Sequence, residues 1–273
     1  MAGVRMSHPA PPSGPPVFLL SAGGRTGSTL VQRLILSTGE VLVWGEHGGA
    51  ILPGLQDILK RLELWQAHTG HRQYDRFCAE GWNQWIPNVV PPMEAFLEGT
   101  RSFLEASLGS WAQRHGYGRW GFKEIRYGQP QAMLLEQLWP EATFVLCFRH
   151  PASTLRSIRR CEWYGPQFGG DPARFLKVWA SLSASLLNAH GTLQRSLVVR
   201  HEDLTSDPES ALQRLAQALD LPAARLDRTA LGTVLTGTPR ELEPLDARDR
   251  MALGHPDVQA VARKLGYDLG LEP

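Results

Sequence analysis

The order of apolar and amphipathic stretches predicts an α/β fold, a parallel sheet flanked by helices on both faces. Three observations carry this: short apolar runs suited to buried strands, helical patterns between them, and a glycine-rich turn, SAGGRTGSTL, joining the first run to the first helix. Residues 17–22 (VFLLSA) form the first run, and the glycine turn leads from it into a helical pattern over 29–36. Residues 41–46 (VLVWGE) give the second strand. The stretch 62–92 differs in character, with Trp65, Trp82, Trp85, Pro87, Pro91 and Pro92, and predicts an irregular lid or pocket wall inserted between strands. A third strand over 120–125 (WGFKEI) is followed by a helix over 131–138. The fourth, 142–149 (ATFVLCFR), precedes a helix over 151–160 with Pro151 in its first turn. After a fifth run, 196–204, the stretch SDPESALQRLAQAL starts a helix with Asp207 as N-cap and Pro208 behind it. There is no internal repeat and no linker that would divide the chain, so residues 17–273 read as one domain behind a flexible proline-rich tail at 1–16, with an inserted segment at about 48–118.

Composition excludes several function classes. At 273 residues, 42% hydrophobic and 20% charged, the chain is that of an ordinary soluble globular protein. Its formal net charge of +1 supplies no field to gather nucleic acid or an anionic membrane, so an anion site must be local. Cys78, Cys147 and Cys161 are odd in number and widely spaced, which suggests neither a disulfide framework nor a metal knuckle and fits a reducing, cytoplasmic setting. The opening MAGVRMSHPAPPSGPP has no apolar core of a leader, and VFLL is too short to span a bilayer.

The glycine turn is the first chemical signal. Between a strand and a helix, the N–H groups of Gly24, Arg25, Thr26, Gly27, Ser28 and Thr29 can converge on one anion beside the positive end of a helix dipole. Loops that hold nucleoside triphosphates carry a lysine after the last glycine and a hydroxyl for magnesium; here Ser28 follows Gly27. A plain reversing turn is the competing reading of so short a pattern.

Further stretches extend the signal: RTGSTL at 25–30, VLVWGE ending at Glu46, FKE at 122–124, FVLCFRHPASTLRSI at 144–158 and VVRHEDLTSDPESALQRLAQAL at 198–219. In that order they resemble the signature segments of sulfotransferases that use 3′-phosphoadenosine 5′-phosphosulfate, and the likeness spans most of residues 17–220. Among the subgroups, the chain looks most like the bacterial and tyrosylprotein-type enzymes. The resemblance implies a P-loop NTPase-like fold. It implies that residues 25–29 hold the 5′-phosphosulfate, that Arg149 and Ser157 hold the 3′-phosphate, and that Glu46, just after the second strand, is the base. Where the family has tyrosine before Glu-Asp-Leu, this chain has His201, which leaves the adenine contact unassigned.

The chemistry supports these residues independently. A phosphosulfate donor has no triphosphate tail to chelate magnesium, so neither the loop lysine nor a metal is required. The planar fork of Arg25 can grip two oxygens at once. Sulfuryl transfer needs positive charge at the leaving oxygen, and Lys123 is a second source, one of few lysines among 28 Lys and Arg. A lysine in an apolar strand needs an anionic partner. The alternative is that Lys123 ends the strand and pairs with Glu124. Arg149 leaves the end of its strand, where parallel sheets bind ligands, whereas Arg156 and Arg159 read as a solvated helix face.

Other polar residues rank lower. His47, beside Glu46, is a reserve base, as is Glu124. His68 and His71 lack a second pair of metal ligands and read as a solvated pair in a loop. Trp82 and Trp85 are candidate walls of an acceptor pocket. The sequence thus predicts a sulfotransferase acting on a hydroxyl of a small-molecule, carbohydrate or natural-product acceptor, with no metal, nucleic-acid or membrane partner. A nucleotide-dependent kinase and a non-catalytic nucleotide-binding module are the alternatives. No motif marks the acceptor or the oligomeric state.

Overall fold

Alternate residues of the sheet feed two separate apolar cores, which is why its most deeply buried strands are mostly apolar. In the computed structural model, which describes residues 14–232 and 244–270 without the side chains of 69–72, five strands form one parallel sheet. They are β1 (Val17–Ser21), β2 (Val41–Trp44), β3 (Arg119–Glu124), β4 (Thr143–Phe148) and β5 (Ser196–Arg200), in the spatial order β2-β3-β1-β4-β5. Val17 and Leu19 face a core shared with Val31, Leu34 and Ile35 of helix Ser28–Ser37 and Leu212 and Leu215 of helix Pro208–Ala218. Phe18 and Leu20 face the other, larger core, which takes in helices Gln129–Leu138, Pro172–His190 and Pro256–Lys264.

Central β1 has β3 on one side and β4 on the other, so the chain reverses its direction of travel across the sheet beside β1. Such a switch point opens a crevice at the carboxyl ends of the strands. Gly121 makes the β1–β3 pairing possible: a Cβ there would lie 1.6 Å from the carbonyl oxygen of Val17, so no side chain fits.

Several details differ from the sequence expectation, among them the end of the second strand at Trp44 and of the helix after the fourth at Ile158. The fifth strand stops at Arg200, and His201–Ser206 is a short helix with Glu202 and Asp203 in its first turn. Acidic residues favour a helix start, and Arg200 donates to Asp203 at 2.7 Å across that boundary. The apolar signal of Leu204 was genuine, since it is buried, but it reaches the core from the helix. The stretch 62–92 is helical over much of its length: helix Ile51–Trp65 continues through a π-helical turn, Gln66–Gly70, into helix His71–Glu80. Gly70 therefore lies in a helical turn, His68 is exposed, and the His71 side chain lies outside the described residues. Of the tail at 1–16, residues 1–13 lie outside the described residues, while the carbonyls of Pro15 and Pro16 accept hydrogen bonds from Arg119 Nε and Thr143 N.

Candidate active site at the carboxyl edge of the sheet

The glycine turn runs directly from β1 into helix Ser28–Ser37 and takes three positive-φ residues to do so, Gly23 (φ 90°), Arg25 (φ 66°) and Gly27 (φ 88°). Ser21 braces it from below, hydrogen-bonding to the Thr26 hydroxyl and donating to Gly23 O at 2.9 Å. Thr26 is thus buried, its hydroxyl turned into the fold, so only its backbone faces outward chemistry. Arg25 is an uncommon non-glycine in this backbone region. Its side chain reaches across to helix Pro151–Ile158, where Nε donates to Ser157 Oγ at 2.9 Å.

Arg149, at the end of β4, closes the same corner. Its Nη1 donates to the Arg25 carbonyl at 3.1 Å, while its Nε is buried without a partner. Burial holds its guanidinium below the usual arginine range, with Arg25 adding to the effect and Glu202 opposing it. His201 lies against the loop from β5: a Cβ on Gly27 would come within 2.4 Å of its Nδ1. That nitrogen also has no hydrogen-bond partner, and burial, assisted by Arg149, lowers the imidazole to about 4. The structure therefore gathers Arg25, Arg149, Ser157 and His201 around one loop.

On the β3 side, Lys123 is nearly buried and its Nζ lies 2.7 Å from Glu46 Oε1 and 3.5 Å from Thr29 Oγ1. Glu46 Oε2 accepts from Arg126 at 3.1 Å. Glu124, adjacent in sequence to Lys123, pairs elsewhere: it is fully buried and accepts from Arg126 at 2.7 Å and from the backbone of Gly49 at 2.8 Å. Successive strand residues point to opposite faces, so the alternative Lys123–Glu124 pair does not form, and Lys123 pairs with Glu46 and Glu124 with Arg126. His47 packs edge-on to Phe122, with Nδ1 3.4 Å from the Tyr127 hydroxyl and 3.7 Å from Glu124. Burial lowers its pKa, against the pull of Glu124.

A cavity of about 610 Å³ opens beside these groups, lined by Gly24, Arg25, Ser28, Thr29, Glu46, Lys123 and Arg126 on one part and by residues of the stretch 158–182 on the other. Arg149, Ser157, His201 and His47 are not in its lining.

A family model described as "Sulfotransferase family" matches residues 15–225. The chain belongs to the sulfotransferase family. Its fold is similar to that of the sulfotransferase domain of the Synechococcus PCC 7002 olefin synthase, with a TM-score of 0.54, 21% identity, and 96% of this chain and 98% of that one covered. It is also similar to the sulfotransferase STF9 from Mycobacterium avium, with a TM-score of 0.51, 14% identity, and 96% and 79% covered. No curated protein matches the sequence.

For a sulfotransferase, the inserted segment is placed unexpectedly. Trp82 and Trp85 are 78% and 73% exposed, and no lining residue of the cavity falls within 48–118. The aromatic wall comes instead from Trp163, Phe168, Phe175 and Trp179, which the sequence reading did not single out. The spacing of Phe175, Trp179 and Leu182 on helix Pro172–His190 is the one signal that could have found them, and it is also the spacing of a core-facing stripe. Arg126 was missed as well; it lies two residues past Glu124, beyond the end of β3, where no strand pattern marks it. Among the described residues no group of three or more His, Cys, Asp or Glu side chains is arranged to hold a metal, and no helix is long and apolar enough to cross a membrane.

Proposed function

We propose that this sulfotransferase moves a sulfuryl group from 3′-phosphoadenosine 5′-phosphosulfate to a hydroxyl of a small-molecule acceptor. The observation that carries the reading is the meeting of Arg25, Thr29, Lys123 and Glu46 in the lining of one cavity at the switch point of the sheet. The donor supplies an activated sulfuryl group and a phosphate oxygen as leaving group. The N–H groups of residues 24–29 and the helix start behind them hold its 5′ end, and Arg25 and Lys123 bring positive charge to the place where negative charge develops.

Two orphaned groups fit the 3′-phosphate. Arg149 Nε and His201 Nδ1 are buried without partners beside the loop, and buried polar atoms of this kind call for an acceptor or donor from outside the fold. Ser157 adds a hydroxyl already oriented by Arg25. Glu46 takes the acceptor's proton. Both of its oxygens are engaged, Oε1 by Lys123 and Oε2 by Arg126, and each keeps a further lone pair on which the proton can be accepted. Thr29 Oγ1, 3.5 Å from the same ammonium, places Lys123 beside the helix start that follows the loop. The free thiols of Cys78, Cys147 and Cys161 agree with a reducing, cytoplasmic setting.

Calorimetric titration with 3′,5′-adenosine bisphosphate and with ATP plus magnesium tests the reading. The bisphosphate should bind at least about tenfold more tightly, a difference of about 1.4 kcal/mol. Tighter binding of ATP with magnesium would overturn it.

A further inference from the structure

The two parts of the cavity lining differ in chemistry. Every charged residue in it, Arg25, Glu46, Lys123 and Arg126, comes from the loops and strand ends, whereas the part contributed by residues 158–182 carries no charge and a single amide, Gln167. Its remainder is aromatic and aliphatic, with Trp163, Phe168, Phe175, Val178 and Leu182. We infer that the acceptor is a neutral, flat, apolar alcohol or phenol seated against this wall, and neither a carbohydrate nor a peptide. The inference rests on the reading of the cavity as the acceptor site of a sulfotransferase using the adenosine phosphosulfate donor.

Three features support the wall as a binding surface and not as a stray edge of the core. First, Trp163 and Val178 are 39% and 42% exposed although both line the cavity, so apolar surface is held against water at the place where an acceptor would cover it. Second, the wall abuts the anion loop. A Cβ on Gly24 would lie 3.0 Å from the edge of the Trp163 indole, so a ring resting on that indole is delivered to the loop that carries Arg25. Third, the turn bearing Trp163 is fixed. Cys161 N donates to Ile158 O at 2.8 Å, Tyr164 N donates to Cys161 O at 2.9 Å, and Arg159 pairs with the fully buried Asp249 of helix Ala247–Leu253.

Chemistry then sorts the acceptors. A sugar brings several hydroxyls, and a peptide brings amides, each needing a partner once removed from water. In the stretch 158–182 the neutral hydrogen-bonding groups offered to the cavity are the Gln167 amide and the Trp163 indole N–H, the Trp179 N–H being donated to the Arg149 carbonyl, too few for the hydroxyls of a sugar or the amides of a peptide. A flat apolar body with one hydroxyl leaves no such group unpaired. It also gains the area of the aromatic faces.

The test uses the full chain and calorimetry. The protein is first titrated with 3′,5′-adenosine bisphosphate, and the saturated complex is then titrated with 2-naphthol, with methyl glucoside and with a blocked serine dipeptide. Naphthol should bind at least about tenfold more tightly than either of the others. Trp163→Ala and Val178→Glu, both at exposed positions, should each weaken naphthol by about tenfold while leaving the bisphosphate within about twofold. Glucoside or dipeptide binding as tightly as naphthol overturns the inference, as does naphthol binding unchanged in both variants. Failure of the parent protein to bind the bisphosphate removes the donor reading and this inference together, whereas bisphosphate binding without a preference for naphthol removes the inference alone.

Discussion

Lys123 Nζ lies 2.7 Å from Glu46 Oε1, so the cation and the carboxylate that the proposed reaction needs in separate roles are held as one ion pair. The pair is not a surface ornament, since the lysine side chain is only 9% exposed and sits on a central strand. Removing either partner leaves the other with an altered charge environment, so each substitution has to be read through both binding and rate.

Glu46→Gln keeps the size and the hydrogen bond to Lys123 but removes the proton acceptor. Turnover should fall by about a hundred- to ten-thousandfold, with 3′,5′-adenosine bisphosphate affinity preserved. A single-turnover rate within about threefold of the parent would pass the role to His47 or Glu124.

Lys123→Met keeps the length of the side chain and deletes the charge. If the ammonium acts on the leaving oxygen, the rate constant should drop by about a hundred- to a thousandfold while the acceptor KM changes little. A KM rise with unchanged turnover would assign Lys123 to binding only.

Arg149→Ala removes the charge assigned to the 3′-phosphate. The loss of a charge-assisted hydrogen bond of about 1.5–3 kcal/mol should weaken the bisphosphate by roughly ten- to a hundredfold, whereas 5′-AMP should bind as before. Equal weakening of both ligands in calorimetry would refute the clamp.

Gly27→Ala strains the loop twice, by forcing alanine to φ 88° and by pressing its Cβ to 2.4 Å from His201. Urea unfolding should show a loss of about 2 kcal/mol, and adding His201→Ala should return part of it, the part due to contact. Full recovery in the double variant would mean that the backbone conformation is not strained.

The depressed His201 has a signature in pH. Folded, it protonates only near pH 4, while the unfolded chain protonates near its ordinary 6.5, so between these values the unfolded state binds more protons and stability falls as pH is lowered. From this group the protein should be about 2 kcal/mol less stable at pH 5 than at pH 7, with no contribution above about pH 7. The slope should shrink in His201→Asn, and an unchanged slope in urea titrations at the two pH values would rule out His201 as its source.

How far the sequence could be read depended on whether a residue's signal was local. The five strands were legible as short, largely apolar runs, most plainly β4, which is buried on both faces and apolar from Phe144 to Phe148. Arg25, Glu46, Lys123 and Arg149 could be placed at the carboxyl edge of the sheet from the sequence because each stands at or beside the end of an apolar run. The helix beginning at His201 was not, since a strand running straight into one helical turn shows no change of period over so few residues. Nor was the aromatic wall. Phe175, Trp179 and Leu182 repeat at helical spacing whether protein or an open cavity covers them, and only the three-dimensional placement separates the two. Trp82 and Trp85 misled for the converse reason: tryptophan beside proline suggests a pocket, but their indoles stand in solvent.

The anion-facing groups are recruited from points far apart along the chain, whereas the apolar wall comes from one uninterrupted stretch, residues 158–182. Under the proposed acceptor and donor roles, acceptor range is therefore separable from transfer chemistry along the chain. On the proposed reading, substitutions at the exposed positions of this one stretch, such as Trp163 and Val178, reshape what is sulfated while the strand ends proposed to handle the donor stay in place.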